Sequence, residues 1–162
     1  MLGLPDLPYG WAVSVLSANS SVSSPCAALT SDASKQLAAQ AESDFQQSED
    51  GPFLQEILAT GPAQQAHTVW ASIQQAAAKC ATPDANGEST TLSTTQFPSY
   101  GDESYALQLK AVRAGVTYTG DVVVVRKGQT FVEVAVFGVP GISPVSAPLV
   151  QQMVGKAVGK LP

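Results

Sequence analysis

Any proton-transfer chemistry of the Ser–His–carboxylate kind would have to be built around His67, because the chain of 162 residues contains one histidine. Such chemistry needs a hydroxyl within hydrogen-bond reach of the imidazole and a carboxylate behind it. Ser43 and Ser72 are available hydroxyls, but no nucleophile elbow surrounds either. His67 falls on the polar side of a helical pattern, where the expected role is a solvated helix residue. The acidic pairs Glu49-Asp50 and Asp102-Glu103 sit at turns, where acids serve the backbone. No Gly-rich phosphate cradle and no metal-ligand set is spelled out. The sequence therefore predicts no catalytic residue, no metal and no cofactor, and a chain that is not an enzyme.

Sulfur chemistry is the next candidate. Cys26 and Cys80 lack the close pairing and the extra Cys or His ligands of a zinc site. They are either two buried thiols of a cytosolic protein or one disulfide formed in an oxidising compartment. The even count and the exported-looking composition favour the disulfide. Closing so long a loop contributes about 4 kcal/mol in the chain-entropy view.

Binding chemistry is carried by aromatic residues. Phe97, Tyr100 and Tyr105 fall within "FPSYGDESY", a loop-like stretch with Pro and Gly that marks the mouth of a possible cleft. Arg113 and Arg126 are the two arginines, and both flank hairpin turns, where a solvated charge is the ordinary reading. Phe97, Tyr100, Tyr105 and Arg113 are the candidate ligand contacts. Trp11 and Trp70 are assigned to anchoring and core packing, as are Phe131 and Phe137.

Composition narrows the class of partner. Charged residues make up 13% of the chain and the net charge is −5. With no cluster of Lys or Arg, nucleic acid and anionic membrane surfaces are excluded as partners. No apolar run reaches the roughly 20 residues of a membrane span. The chain starts on a domain-like sequence with no charged and apolar leader pattern, so any lipid tether is expected ahead of Met1.

The elements that would position these residues follow from periodicity. Residues 1–32 read as an anchoring N-terminal segment, with a short strand after Trp11 and a helical turn carrying Cys26 and Leu29. Helix propensity runs from Ala33 to Ala41, but "EDGP" is a strong turn between Phe45 and Phe53, which favours a hairpin. Ala63, Ala66, Trp70, Ile73, Ala77 and Cys80 recur at threes and fours, predicting a helix over 62–80. A β-rich stretch follows from "ESTTLSTTQF" through "ESYALQLKAV" to two hairpins at Ala114-Gly115 and Lys127-Gly128. Four consecutive valines, Val122 to Val125, imply a strand covered on both faces. Leu149, Met153, Ala157 and Leu161 form the stripe of a second helix over 145–161. The expected architecture is one α+β domain spanning 1–162. It has a central antiparallel sheet with both helices on one face, the other face partly open, and a single disulfide.

Taken together, "LPDLPYGW", the following Cys26, the Trp70 and Cys80 helix, "DVVVVRKGQTFVEVAVFG" and the closing "VGKAVGKL" resemble the PknH-like extracellular sensor domains of actinobacteria. These loose motifs cover nearly the whole chain. The resemblance implies an exported or cell-envelope domain, alone as a lipoprotein or cut from a larger receptor. It also implies a cleft for an unidentified small molecule, lipid or glycan. The better-known member has more than one disulfide, so Cys26–Cys80 is the single pairing the resemblance carries over. A non-catalytic ligand-binding sensor domain is thus the leading expectation. An envelope protein-interaction module or lipoprotein accessory subunit is the alternative.

Overall fold

The fold is that of a computed structural model, which describes residues 1–14, 37, 39–77, 81–83 and 89–162. Eight antiparallel strands form one sheet in the order β1-β2-β3-β8-β7-β6-β5-β4. The strands are β1 (Ala12–Ser14), β2 (Ala39–Gln46), β3 (Phe53–Thr60), β4 (Ala81–Pro83), β5 (Ser89–Thr94), β6 (Glu103–Arg113), β7 (Val116–Lys127) and β8 (Thr130–Gly138). Among the described residues two helices accompany them, α1 (Ala63–Ala77) and α2 (Ala147–Gly159), with a 3-10 turn at Leu4–Asp6. Both halves of the ambiguous stretch around "EDGP" are strands. Ala39 pairs with Thr60 and Gln46 with Phe53, so from Ala39 onward tertiary pairing overrides the helix propensity, whose earlier part lies outside the described residues.

The helices lie on opposite faces, which corrects the expectation that both cover one. On the first face, Val150, Met153, Val154 and Ala157 of α2, all fully buried, pack on Leu54, Val123, Val125, Val132, Val134 and Val136. On the second, Ala66, Val69 and Trp70 of α1 pack with Ala59, Leu107, Val122, Val124, Phe131 and Ala135. The alternation of the valines explains the arrangement. Val123 and Val125 face α2 while Val122 and Val124 face α1, and each buried valine contributes about 1.5–3 kcal/mol. An apolar layer on each side requires a helix on each side. The expected open face is therefore crossed by α1, which carries the chain from β3 to the far edge at β4.

The N-terminal segment lies on the α2 face. Leu2, Leu7 and Trp11 join the α2 cluster, whereas Tyr9 is fully exposed. Trp11 therefore docks on the sheet, on the face away from Trp70. The strap is also held by polar ties. Glu56 of β3, wholly buried, accepts a hydrogen bond from the Leu2 N–H at 2.6 Å. Lys156 of α2 donates to the Asp6 carbonyl, and Lys160 pairs with the Asp6 carboxylate. Cys26 and Cys80, the helical turn around Leu29 and the expected disulfide all fall outside the described residues.

Candidate ligand-binding site

The site is built where one strand stops before its neighbour. β5 ends at Thr94 opposite Leu107, but β6 continues to Glu103 opposite Arg126 of β7. Only the Thr95 N–H reaching the Ala106 carbonyl prolongs the β5–β6 ladder. From there residues 95–102 peel away from the sheet edge and return to start β6. Pro98 at the turn of this loop disfavours a continued strand.

The returning end of the loop is fastened by three devices. Tyr100 N–H donates to Ser104 Oγ at 3.2 Å, and Asp102 N–H donates to the Arg126 carbonyl at 2.8 Å. Gly101 sits at φ 61°, and a Cβ there would lie 2.5 Å from that same carbonyl oxygen, so only glycine fits. Arg126 donates to Glu103 at 2.5 Å and to the Gly128 carbonyl at 2.8 Å, with Asp102 at 3.4 Å. Its side chain is only 11% exposed. Arg126 is thus a paired, largely buried tie rather than the solvated charge expected from its place beside a turn.

This fastening fixes two of the aromatic candidates. The rings of Phe97 and Tyr100 are 6.0 Å apart and tilted by 42°. Both pack on the α2-side core. Tyr100 also donates from its hydroxyl to the Gln151 carbonyl of α2 at 3.4 Å, lying over Gly155. Between the loop and the edge of β6 lies a cavity of about 140 Å³. Its floor is Ala106 and Val123, its wall Phe97, and its polar lining the hydroxyl residues Thr94, Thr95, Ser99 and Ser104, with Tyr105 at the strand. That volume is below the roughly 300 Å³ at which drug-sized pockets begin. A single ring or headgroup fits it, and a larger ligand would extend outside.

The other two candidates are placed elsewhere. The Tyr105 ring packs with the α1-side cluster, since strand alternation turns it away from Ala106. Arg113 stands eight residues further along β6, about 27 Å from Tyr105 at strand spacing. There it donates to the Ser89 and Val112 carbonyls and to Thr90 Oγ1. Phe97 and Tyr100 therefore belong to one site, Tyr105 borders it through the strand, and Arg113 does not reach it. Sequence reasoning missed the four hydroxyl residues. Their only signal is that Thr94 and Thr95 end a Thr-rich strand while Ser99 and Ser104 bracket the aromatic loop.

A second set of ionisable groups lies on the α1 side of β2, β3 and β8. Gln55 donates to Glu42 at 2.8 Å and to Asp44 at 3.2 Å. One row nearer the β7–β8 turn, Glu133 stands between Ile57 and Val124. Burial, reinforced by the Glu42 charge, pushes the Glu133 carboxyl up to about 8. Burial also raises Glu42, Glu56 and Asp121 above the usual carboxylate range. Asp6 moves the other way, lowered first by its hydrogen bond from Lys160. Among the described residues, no three His, Cys, Asp or Glu are placed to hold a metal ion. His67 is exposed on α1, and the Ser72 hydroxyl donates to the Thr68 carbonyl.

No family model matches the sequence, and no curated protein matches it. Among solved structures, the chain is similar to the extracellular domain of PknH from Mycobacterium tuberculosis. The TM-score is 0.56 at 12% identity, covering 83% of this chain and 70% of that one. At that identity the likeness is one of fold. It agrees with the α+β architecture expected from the sequence, an antiparallel sheet flanked by two helices. Among the described residues, no helix is long and apolar enough to cross a membrane.

Proposed function

We propose that this chain is a non-catalytic ligand-binding domain of the extracytoplasmic sensor type, working in the cell envelope. It acts there as a stand-alone lipoprotein or as the sensing part of a receptor. The observation that carries the reading is the cavity beneath the Phe97–Tyr100 loop. It is a concave, mixed polar and aromatic site held by Gly101, Arg126 and Tyr100 on a sheet buried on both faces. Loops on rigid scaffolds are where recognition concentrates. The fold likeness to the extracellular domain of PknH supports the setting. The ligand is a small molecule, a lipid headgroup or a glycan of the envelope.

Native mass spectrometry after incubation with envelope extract tests this reading. A retained small molecule is expected, and Phe97→Ala should abolish its retention. Retention unchanged by Phe97→Ala would remove the site from the reading, and no retained species would remove the function.

A protein-interaction module is the second reading. It is favoured by Tyr9, fully exposed, and Val13, 67% exposed on the edge strand β1. Capture of an envelope protein that is lost on Tyr9→Ala and kept on Phe97→Ala would decide for it.

A further inference from the structure

We propose that the cavity beneath residues 95–102 takes a neutral carbohydrate ring, an inference that rests on the ligand-binding reading above. The chemistry of the lining selects the class. Its polar side chains are hydroxyls, from Thr94, Thr95, Ser99 and Ser104, while Tyr105 borders it only through the strand. A hydroxyl both donates and accepts, so such a set matches a ligand that is itself rich in hydroxyls. The floor of Ala106 and Val123 and the Phe97 wall offer apolar surface to the C–H face of a ring.

Charge argues in the same direction. No lysine, arginine, aspartate or glutamate lines the cavity. The nearest ionic groups, Asp102, Glu103 and Arg126, are committed to one another and to the β7–β8 turn. An ionised ligand would lose hydration on entering and find no counter-charge, an unfavourable exchange. A fatty chain would leave the hydroxyls of the lining without partners.

Size sets the unit recognised. At about 140 Å³ the cavity is well below the roughly 300 Å³ of drug-sized sites, which suits one ring rather than a chain. A peptide strand is a poorer fit. The ladder edge it would have to join is only Glu103 to Tyr105, because Thr95 already occupies the Ala106 carbonyl. The site therefore grips one neutral residue of a longer glycan, with the rest of the chain outside.

Backbone amide NMR of the whole domain tests this with four probes: neutral methyl glycosides, a uronic acid, a short-chain phospholipid and an uncharged tripeptide. Neutral glycosides should shift the amides of residues 94–106 and Val123, saturating in the millimolar range expected of so small a ligand. Ser99→Ala and Thr95→Val, both at exposed positions, should each weaken binding roughly 2- to 10-fold, the net effect of one hydrogen bond. Their spectra away from the cavity confirm that they fold. Shifts caused only by the acid, the lipid or the peptide would overturn the sugar assignment and leave ligand binding standing. Glycoside shifts outside 94–106, or insensitive to both variants, would overturn it as well. If no probe shifts these amides, the sugar assignment falls, and the mass-spectrometric retention separately decides whether ligand binding falls with it.

Discussion

Replacing Glu133 by Gln should stabilise the protein at neutral pH and leave it unchanged in acid. In the fold this carboxyl titrates at about 8, against 4.5 in an open chain, because it is 8% exposed in a valine-rich strand with Glu42 nearby. A carboxyl whose folded value is raised binds its proton more tightly in the native state. Its unfavourable contribution is therefore absent below pH 4.5 and grows as pH climbs towards 8. At 1.36 kcal/mol per pH unit, the native state gives up about 3 kcal/mol by pH 7 and about 5 kcal/mol above pH 8. The Gln amide keeps the shape and cannot ionise, so it recovers that amount. In a domain of this size the gain corresponds to a rise in Tm of roughly 6–12 °C at pH 7. Urea unfolding of both proteins at half-unit steps from pH 4.5 to 8.5 is the assay. The two curves should meet near pH 4.5 and diverge steadily above it. Parallel curves, or a less stable Gln variant at pH 7, would refute the burial argument.

Trp11→Ala should cost about 3–5 kcal/mol by opening a void on the α2 face, while Tyr9→Ala two residues earlier should be neutral, as chemical denaturation will record. Gly101→Ala should destabilise by about 1–3 kcal/mol, because the new Cβ has no room at positive φ beside the Arg126 carbonyl. Gly155→Ala should stabilise by up to about 1 kcal/mol, since its Cβ would make an ordinary 3.7 Å contact with Tyr100 and improve the helix.

Local chemistry made most of the elements legible. The turns at "EDGP", Ala114-Gly115 and Lys127-Gly128 each join the strands expected of them, because Gly and Pro constrain the backbone whatever surrounds it. The stripes on both helices identify the side chains they bury, but periodicity says nothing about which side of a sheet a helix will meet. The clue was present in another element. The run Val122 to Val125 demands cover on both faces, and combining it with the two stripes gives one helix per face. The site was half legible. An aromatic loop with Pro and Gly marks itself, so Phe97 and Tyr100 stand out. Strand alternation, which decides the direction of Tyr105, and ladder length, which removes Arg113, become visible only when β6 is registered against β5 and β7. Single Ser and Thr residues carry no signal until a cavity brings them together.

The pairing of β3 with β8 constrains the order of events during synthesis. Phe53 lies opposite Phe137 and Thr60 opposite Thr130, so a nascent chain leaving the ribosome holds β3 with one ladder side vacant until residues 130–138 emerge. Contacts this distant in sequence are slow to form, and every earlier fragment is an incomplete sheet. A truncation that removes β8 should therefore give no smaller stable domain, only aggregation-prone polypeptide.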